Sequence, residues 1–420
     1  MARSEDGPAR DVGAARETAD TVARRSYGKL VAFLASRTRD VAGAEDALSE
    51  AFAAALEHWP AGGVPRNPEA WLMAVARRKM IDAARRRQNS ESGAEHLRLL
   101  AEIGGEEEAQ IPDDRLSLMF VCAHPAIEAG IRAPLMLQAI LGFDAAAIGS
   151  AFLVAPATMG QRLVRAKARI RQTGIPFRVP EHAELRERLA SVLEAIYAVY
   201  AEGWSDPAGT EARRRNLAAE GIWLGGLVAS LLPGEPEALG LLALMLHAEA
   251  RRRARRDAGG DYVPLSEQDP AAWDATLIDE AEALLYRAST LGAVGRFQLE
   301  AAVQSVHAAR RITGGTDWEA IAHLYDNLLA LSESPVVAIN RAIAIAEARG
   351  AAQGLAALDA LSGDARLAEY QPYWAARAGL LALGGDIEAA GLAYERAIGL
   401  EADPAVRRVL QRRRAGLYRR

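Results

Sequence analysis

Apolar residues recur three and four positions apart along most of the chain. Ala47, Leu48, Ala51, Phe52, Ala55 and Leu56 are one instance, a pattern that turns these side chains to one side of a helix and predicts a core-facing stripe. Runs that alternate with period two are scarce, and no Asn-Gly or Asp-Gly turn joins two apolar runs. Ala, Leu, Glu and Arg, all good helix formers, dominate. The expected fold class is all-α. Pro and Gly divide the pattern, since neither continues a helix well. A flexible tail is expected over 1–20 and a first block over 21–88, broken by the turn "WPAGGVPRNP" at 59–68. The polar "RQNSESGAEH" and the acidic run after it read as a linker, 89–112. A second block, 113–177, closes at "TGIPFRVPEH", and 178–420 forms a third, larger helical region.

Repetition is visible in that third region. "YWAARAGLLALGGDIEAAGLAYERAIGLEADP" (373–404) has the form of a tetratricopeptide unit, with a turn at Gly385, small and aromatic residues at Ala390, Tyr394 and Ala397, and Pro404 just beyond. The stretch 316–350 follows the same rhythm less closely, and a non-repetitive helical bundle is the competing description.

Composition narrows the setting. One cysteine, Cys122, excludes an intramolecular disulfide and a cysteine-based metal cluster, and fits a reducing cytoplasm. The first twenty residues hold no signal-like apolar run, and stretches such as "IWLGGLVASLL" are too short to cross a bilayer, so no membrane partner is expected. The net charge of −5 hides blocks of opposite sign. Residues 1–175 carry 23 basic and 22 acidic side chains; "ARRKMIDAARRR" (76–87) has six bases and one acid, and "EIGGEEEAQIPDD" (102–114) six acids and no base. Local fields of this kind decide what a surface binds.

The stretch 134–171 concentrates candidate chemistry. Asp144 is placed to cap a short helix with Ile148 and Phe152 inward; a brief turn follows, and Pro156 opens a second helix. On that helix Met159, Leu163 and Ile170 suit a packed face, while Arg162, Arg165 and Arg169, with Lys167 beside them, recur on the other side. Thr158 and Gln161 lie near its start. Two short helices with a basic second one match a helix-turn-helix whose second helix enters a major groove. A solvated amphipathic helix has the same pattern. About five phosphate contacts would give a log–log salt slope near −4 to −5.

In the first block Asp46 and Glu50, four residues apart, project from one helix face. Trp71 leads into Arg77, Arg78, Lys79, Arg85, Arg86 and Arg87, a cluster that repels itself unless a polyanion neutralises it. Trp71 suits either a packed core or the wall of a pocket for an unstacked base.

"AGAEDALSEAFAAALEHWP" (42–60) followed by "NPEAWLMAVARRKMIDAARRR" (67–87) resembles the core-binding and promoter-melting region of bacterial sigma factors of the extracytoplasmic-function type, and 134–171 resembles their promoter-binding C-terminal region. "RLSLMFVCAHPAI" and "LEAIYAVYAEGW" are similar to the subgroup with a long tetratricopeptide-like extension, so the resemblance covers nearly the whole chain. It implies a non-catalytic subunit that binds core RNA polymerase at the beta-prime clamp and beta flap, through Asp46, Glu50 and Phe52 at the clamp. It further implies that −10 DNA is held by residues near 71–87 and −35 DNA by residues near 158–169, in a cytoplasmic protein at the nucleoid. Where related factors often have Asn, this chain has Arg78, which lacks an acceptor, so a two-way base contact there is lost. The acidic linker, with Glu106, Glu107 and Glu108, is expected to mimic nucleic acid in the polymerase channel.

No chemistry is assigned to the third region. His247, His307 and His323 lack metal-ligand spacing, and no HExxH, P-loop, GxGxxG or GxSxG motif occurs, so neither cofactor nor metal is expected. "RRRARRD" (251–257) and the tail from Arg407 suit phosphate contacts, a hold on the acidic linker, or plain solvation. A protein or peptide partner is expected for the helical pairs. Two other descriptions compete: a DNA-binding regulator that does not touch polymerase, and a tetratricopeptide scaffold.

Overall fold

The Ala-, Leu- and Arg-rich segments do fold as helices. A computed structural model describes residues 7–86, 112–152, 154–204, 212–332 and 334–418; among these the only extended pairing is an isolated antiparallel bridge between Arg256 and Tyr262. Arg87 and the acidic linker with Glu106, Glu107 and Glu108 lie outside the described residues. The chain divides into two units, one reaching Trp204 and taking the start of the next helix to Gly221, the other running from Ile222.

In the first unit, α1 (Gly7–Thr38), α2 (Val41–Gly62) and α3 (Pro68–Arg86) pack together around Leu30, Leu34, Leu48, Ala51, Leu72 and Ala76, all fully buried. Asp40 starts α2 by accepting the Gly43 N–H at 3.0 Å. α1 begins at Gly7, not near residue 21: Ala, Arg and Glu make up seven of the twelve residues of "ARDVGAARETAD" and carry the helix through Gly13. α2 also outruns its expected end at Trp59. Trp59 is buried, and Pro60 sits in the last turn, where the Leu56 carbonyl it leaves unbonded belongs to an exposed residue. Leu56 itself, expected in the core, is 46% exposed: nine residues past buried Ala47, it lies about half a turn away.

α4 (Arg115–Cys122) and α5 (Ala129–Leu141) add a second layer with Leu118, Met119, Leu135 and Met136 fully buried. Gly28 of α1 lies so close to α5 that a Cβ there would fall 2.2 Å from the Ile140 carbonyl oxygen. α6 (Ala145–Ala151) and α7 (Pro156–Thr173) follow, and then α8 (His182–Trp204). The sequence assigns α8 to the third region, yet it belongs to the first unit. Leu189, Val192, Ile196 and Val199 are buried, and Arg188 donates to the Phe120 carbonyl at 3.0 Å. The prolines after α7 end a helix without ending a domain.

The second unit takes the rest of α9 (Ala212–Leu231) and is organised on α10 (Pro236–Ala250), buried along most of its length, against which α11 (Ala275–Ser289) and α12 (Arg296–Thr313) pack. Glu237 of α10 accepts the Phe297 and Gln298 N–H groups at 3.0 Å each, satisfying the start of α12. Helices then succeed one another, each packed mainly on its neighbours: α13 (Trp318–Leu331), α14 (Pro335–Arg349), α15 (Ala351–Asp359), α16 (Gln371–Leu383), α17 (Ile387–Leu400) and α18 (Pro404–Gly416). The turn at Gly385 joins α16 to α17, and Ala378, Ala390, Tyr394, Ala397 and Leu410 share one buried cluster. Among the described residues no helix is long and apolar enough to cross a membrane.

Candidate nucleic-acid interface

The turn between α6 and α7 is fixed by short-range chemistry. Asp144 Oδ1 accepts the Ala147 N–H at 2.6 Å, and the Val154 N–H returns to the Gly149 carbonyl at 2.8 Å. A Cβ on Gly149 would lie 2.7 Å from the Val154 carbonyl, so a larger residue would force the turn apart. Ile148 is buried and Phe152 half-buried. Pro156 stands in the first turn of α7, and the residue before it, Ala155, offers no capping side chain, which leaves the first N–H groups of the helix facing outward.

Met159, Leu163, Ala166 and Ile170 seat α7 on the rest of the unit. At 100° per residue Thr158, Gln161, Arg162, Arg165 and Arg169 fall in a stripe on the side away from those four, and all five are exposed. Arg165 bonds only the Gln161 carbonyl of its own helix, and among the described residues neither it nor Arg162 nor Arg169 pairs with a carboxylate. Gln172, also exposed, prolongs the stripe by one turn, a residue that a search for charge passes over.

Lys167 is elsewhere. Nine residues beyond Thr158, it sits half a turn from the stripe and bonds Glu45 of α2 at 2.5 Å, with side-chain exposures of 12% and 8%. It is therefore not a member of the exposed row. Burial pushes the Glu45 carboxyl up while the Lys167 ammonium pulls it back, and Glu45 Oε1 has no hydrogen-bond partner. The same burial, with Glu45 and Asp46 nearby, raises the Tyr27 hydroxyl.

On α2 and α3, Asp46 and Glu50 are exposed, and Phe52 is half-buried with its ring 6.4 Å from that of Tyr27. Glu50 meets Lys79 at 2.9 Å beside a cleft of about 350 Å3 lined by Gly43, Asp46, Ala47, Met80 and Ala83. Arg78 and Arg85, seven residues apart, share an exposed face, and Arg78 bonds the Ala74 carbonyl of its own helix. Arg77 is half-buried at the flank. Arg86 ends the helix. Trp71 packs edge-on against Trp59 at 5.6 Å and near His58 at 6.4 Å, leaving it half-buried. The structure thus groups two sets, the stripe on α7 and the α2–α3 face with acids and bases side by side.

The basic runs of the second unit are engaged internally. Arg252 pairs with Glu249, Arg256 with Asp403, Arg408 and Arg412 with Asp261, Arg413 with Glu267, and Arg414 with Glu395. The acid-rich loop 257–268 and the last helix thus answer each other's charge.

The model for sigma-70 region 2 matches residues 22–90, which span α2, α3 and the second half of α1. A family of unknown function, DUF6596, matches 188–289. A protein of Rhizobium meliloti (strain 1021), "Uncharacterized protein R00370", is 40% identical over 365 residues, covering 85% of this chain and 86% of that one. No solved structure matches. The chain belongs to one family with the Rhizobium protein along most of its length, and its match to region 2 over residues 22–90 supports a sigma-70 family factor.

Proposed function

We propose that the chain is a sigma factor of the extracytoplasmic-function type whose α6–α7 pair is a helix-turn-helix for −35 DNA and whose second unit is a tetratricopeptide-like regulatory module. The observation that carries this reading is the α7 stripe: three exposed arginines without carboxylate partners among the described residues, with Thr158 and Gln161 at the end nearest the helix start. An unneutralised row on a rigid helix is suited to phosphates and guanine edges. Arg78 and Arg85, with Arg77, Arg86 and Arg87 flanking them, hold −10 DNA, and Lys79 joins them once Glu50 is occupied by polymerase. Trp71, packed on Trp59, stiffens that helix more than it presents a free ring to a base. Asp46, Glu50 and Phe52 dock on the polymerase clamp. No step is catalysed here; binding energy offsets the few kcal/mol that each flipped base costs. Successive helix pairs with small residues at their contacts, as in α16–α17, support a module that holds a peptide or folded protein.

The test is binding of core RNA polymerase and promoter-directed transcription by the full chain, beside Asp46→Lys with Glu50→Lys. Tight binding lost in the double variant is expected. Promoter DNA binding without any polymerase binding would leave a helix-turn-helix regulator as the better account.

A further inference from the structure

The acid-rich loop of the second unit is built in two parts. Its root is fixed. The buried Trp273 indole donates to Gln268 Oε1 at 3.3 Å, Gln268 Nε2 donates to the Val263 carbonyl at 3.0 Å, and Arg310 of α12 donates to the Leu265 and Gln268 carbonyls at 3.1 and 2.7 Å. Its tip is shaped by the loop's own atoms: Asp257 Oδ1 accepts the Gly259 and Asp261 N–H groups at 2.9 Å each, Gly260 takes a positive φ, and the Arg256–Tyr262 bridge closes a hairpin. The tip therefore keeps its form without help from α18. What it offers that helix is carboxylate. Asp261 accepts from Arg408 at 2.7 Å and from Arg412 at 2.5 Å, and Glu267 accepts from Arg413 at 2.7 Å. Two arginines one turn apart clasp a single carboxyl, and their hydrogen bonds, Arg412 first and then Arg408, hold it below its ordinary range.

We propose that the α18 face formed by Arg408, Arg412 and Arg413 is a receptor for an acidic peptide segment of a partner protein, and that Asp261 and Glu267 occupy it until such a segment displaces them. The inference deepens, and rests on, that part of the reading above in which the second unit holds a peptide. The clasp is open to solvent, with the three arginine side chains 50, 60 and 45% exposed. Ion pairs in that setting are screened and add little to stability, so a carboxylate brought from outside competes on nearly equal terms. Charge favours the incomer as well. α18 carries five arginines and no acid, and the carboxylates that answer them are Asp261, Glu267 and Glu395, which leaves two positive charges in excess; Asp403, at the helix start, is taken by Arg256. The resident loop states the chemistry of the partner: two carboxylates within seven residues, on a chain that turns. Acids flanking the face at Glu395, Asp403 and Asp257 repel a whole duplex, while a short peptide fits between them. Exchange leaves the root in place, so the hairpin gives up its contact without unfolding, and its occupancy of the face lowers the apparent affinity of any competitor.

The test uses the full chain and a fluorescein-labelled synthetic peptide of residues 257–268, read by fluorescence anisotropy. Asp261→Asn with Glu267→Gln in the chain empties the face and keeps side-chain size. This variant should bind the peptide about tenfold more tightly than the native chain does, since the competing loop no longer holds the arginines. Adding Arg408→Gln and Arg412→Gln should abolish the gain, a peptide with Asn and Gln in place of its own Asp261 and Glu267 should not bind, and potassium chloride should weaken what binding there is. Equal affinity of the native and emptied chains overturns the proposal, as does binding that survives the arginine changes. If the emptied chain gains affinity for duplex DNA and not for the peptide, the face takes phosphate and the proposal fails. Core polymerase binding and promoter-directed transcription by the same native preparation test the sigma-factor reading separately: a failed peptide arm with transcription intact strikes only the receptor, and failed polymerase binding with the peptide arm intact strikes only that reading. Should the emptied chain not fold by circular dichroism, Asp261→Asn alone carries the same comparison.

Discussion

α7 and α18 are both arginine-rich amphipathic helices, each opened by a proline and seated by a buried stripe, and their outer faces are put to opposite uses. On α7 Arg162, Arg165 and Arg169 face solvent with no carboxylate near them among the described residues. On α18 Arg408, Arg412 and Arg413 end on Asp261 and Glu267, some 150 residues earlier in the chain. A helix's own residues do not say which use applies. What decides it is whether the fold brings acids to the basic face, so basic composition is informative only after the partners are known.

The sharpest way to break this contrast is at the exposed faces. Arg162→Ala with Arg165→Ala and Arg169→Ala should weaken −35 duplex binding by the polymerase complex on the order of a hundredfold or more, and flatten the log–log salt slope by about 2.7. A titration against potassium chloride reads both. Beneath those faces the helices should behave alike: Leu163→Ala and Leu410→Ala each remove a buried leucine and should cost about 2–5 kcal/mol in urea denaturation. Only the first should carry a loss of DNA binding with it.

Acid should loosen the second unit from within. His247, 1% exposed, with its Nε2 3.5 Å from Glu282 and neither ring nitrogen hydrogen-bonded, and His307 are both pushed down to about 4, by burial first, then by Arg251, and last by Arg311 at His247 and Arg310 at His307. Their folded form holds fewer protons than the unfolded chain between about 6.5 and about 4, so the stability they contribute is complete above that window and lost as pH falls through it. Protection of the α10 and α12 amides, taken relative to the intrinsic exchange rate at each pH, should fall from pH 7 to pH 4.5, and His247→Asn with His307→Phe should flatten that response. The smallest effect is expected on α18. Arg408→Gln with Arg412→Gln removes exposed pairs whose net worth is low, so a slight fall in melting temperature and unchanged DNA affinity are expected. A DNA-binding loss there equal to that of the α7 triple variant would abolish the distinction.

Legibility in the sequence followed the range of the physics. The α6–α7 unit was readable because Asp144, Gly149, Pro156 and the three-and-four spacing all act within a few residues. Lys167 leaves the row by angle, half a turn from Thr158, while its pairing with Glu45 joins residues far apart in the chain and has no local signal. Two prolines end a helix whatever lies beyond, so the sequence sets α8 apart from the helices before it, while its packing is decided by Arg188 and the apolar face it shares with α4 and α5. The pairing of α18 with the loop at 257–268 is a contact between distant segments, and no local pattern announces it.

Cys122, the chain's single thiol, lies fully buried on α4, raised by burial well above its ordinary range and close enough to Glu45 and Lys167 to sense both charges. A maleimide can reach it only during excursions that uncover it, since the thiolate is the reacting species and a buried one is inert. Alkylation of the unlabelled chain is therefore a clock: its rate counts how often the unit opens on its own, and polymerase, DNA or a ligand of the second unit can each be asked whether it makes that clock run faster or slower.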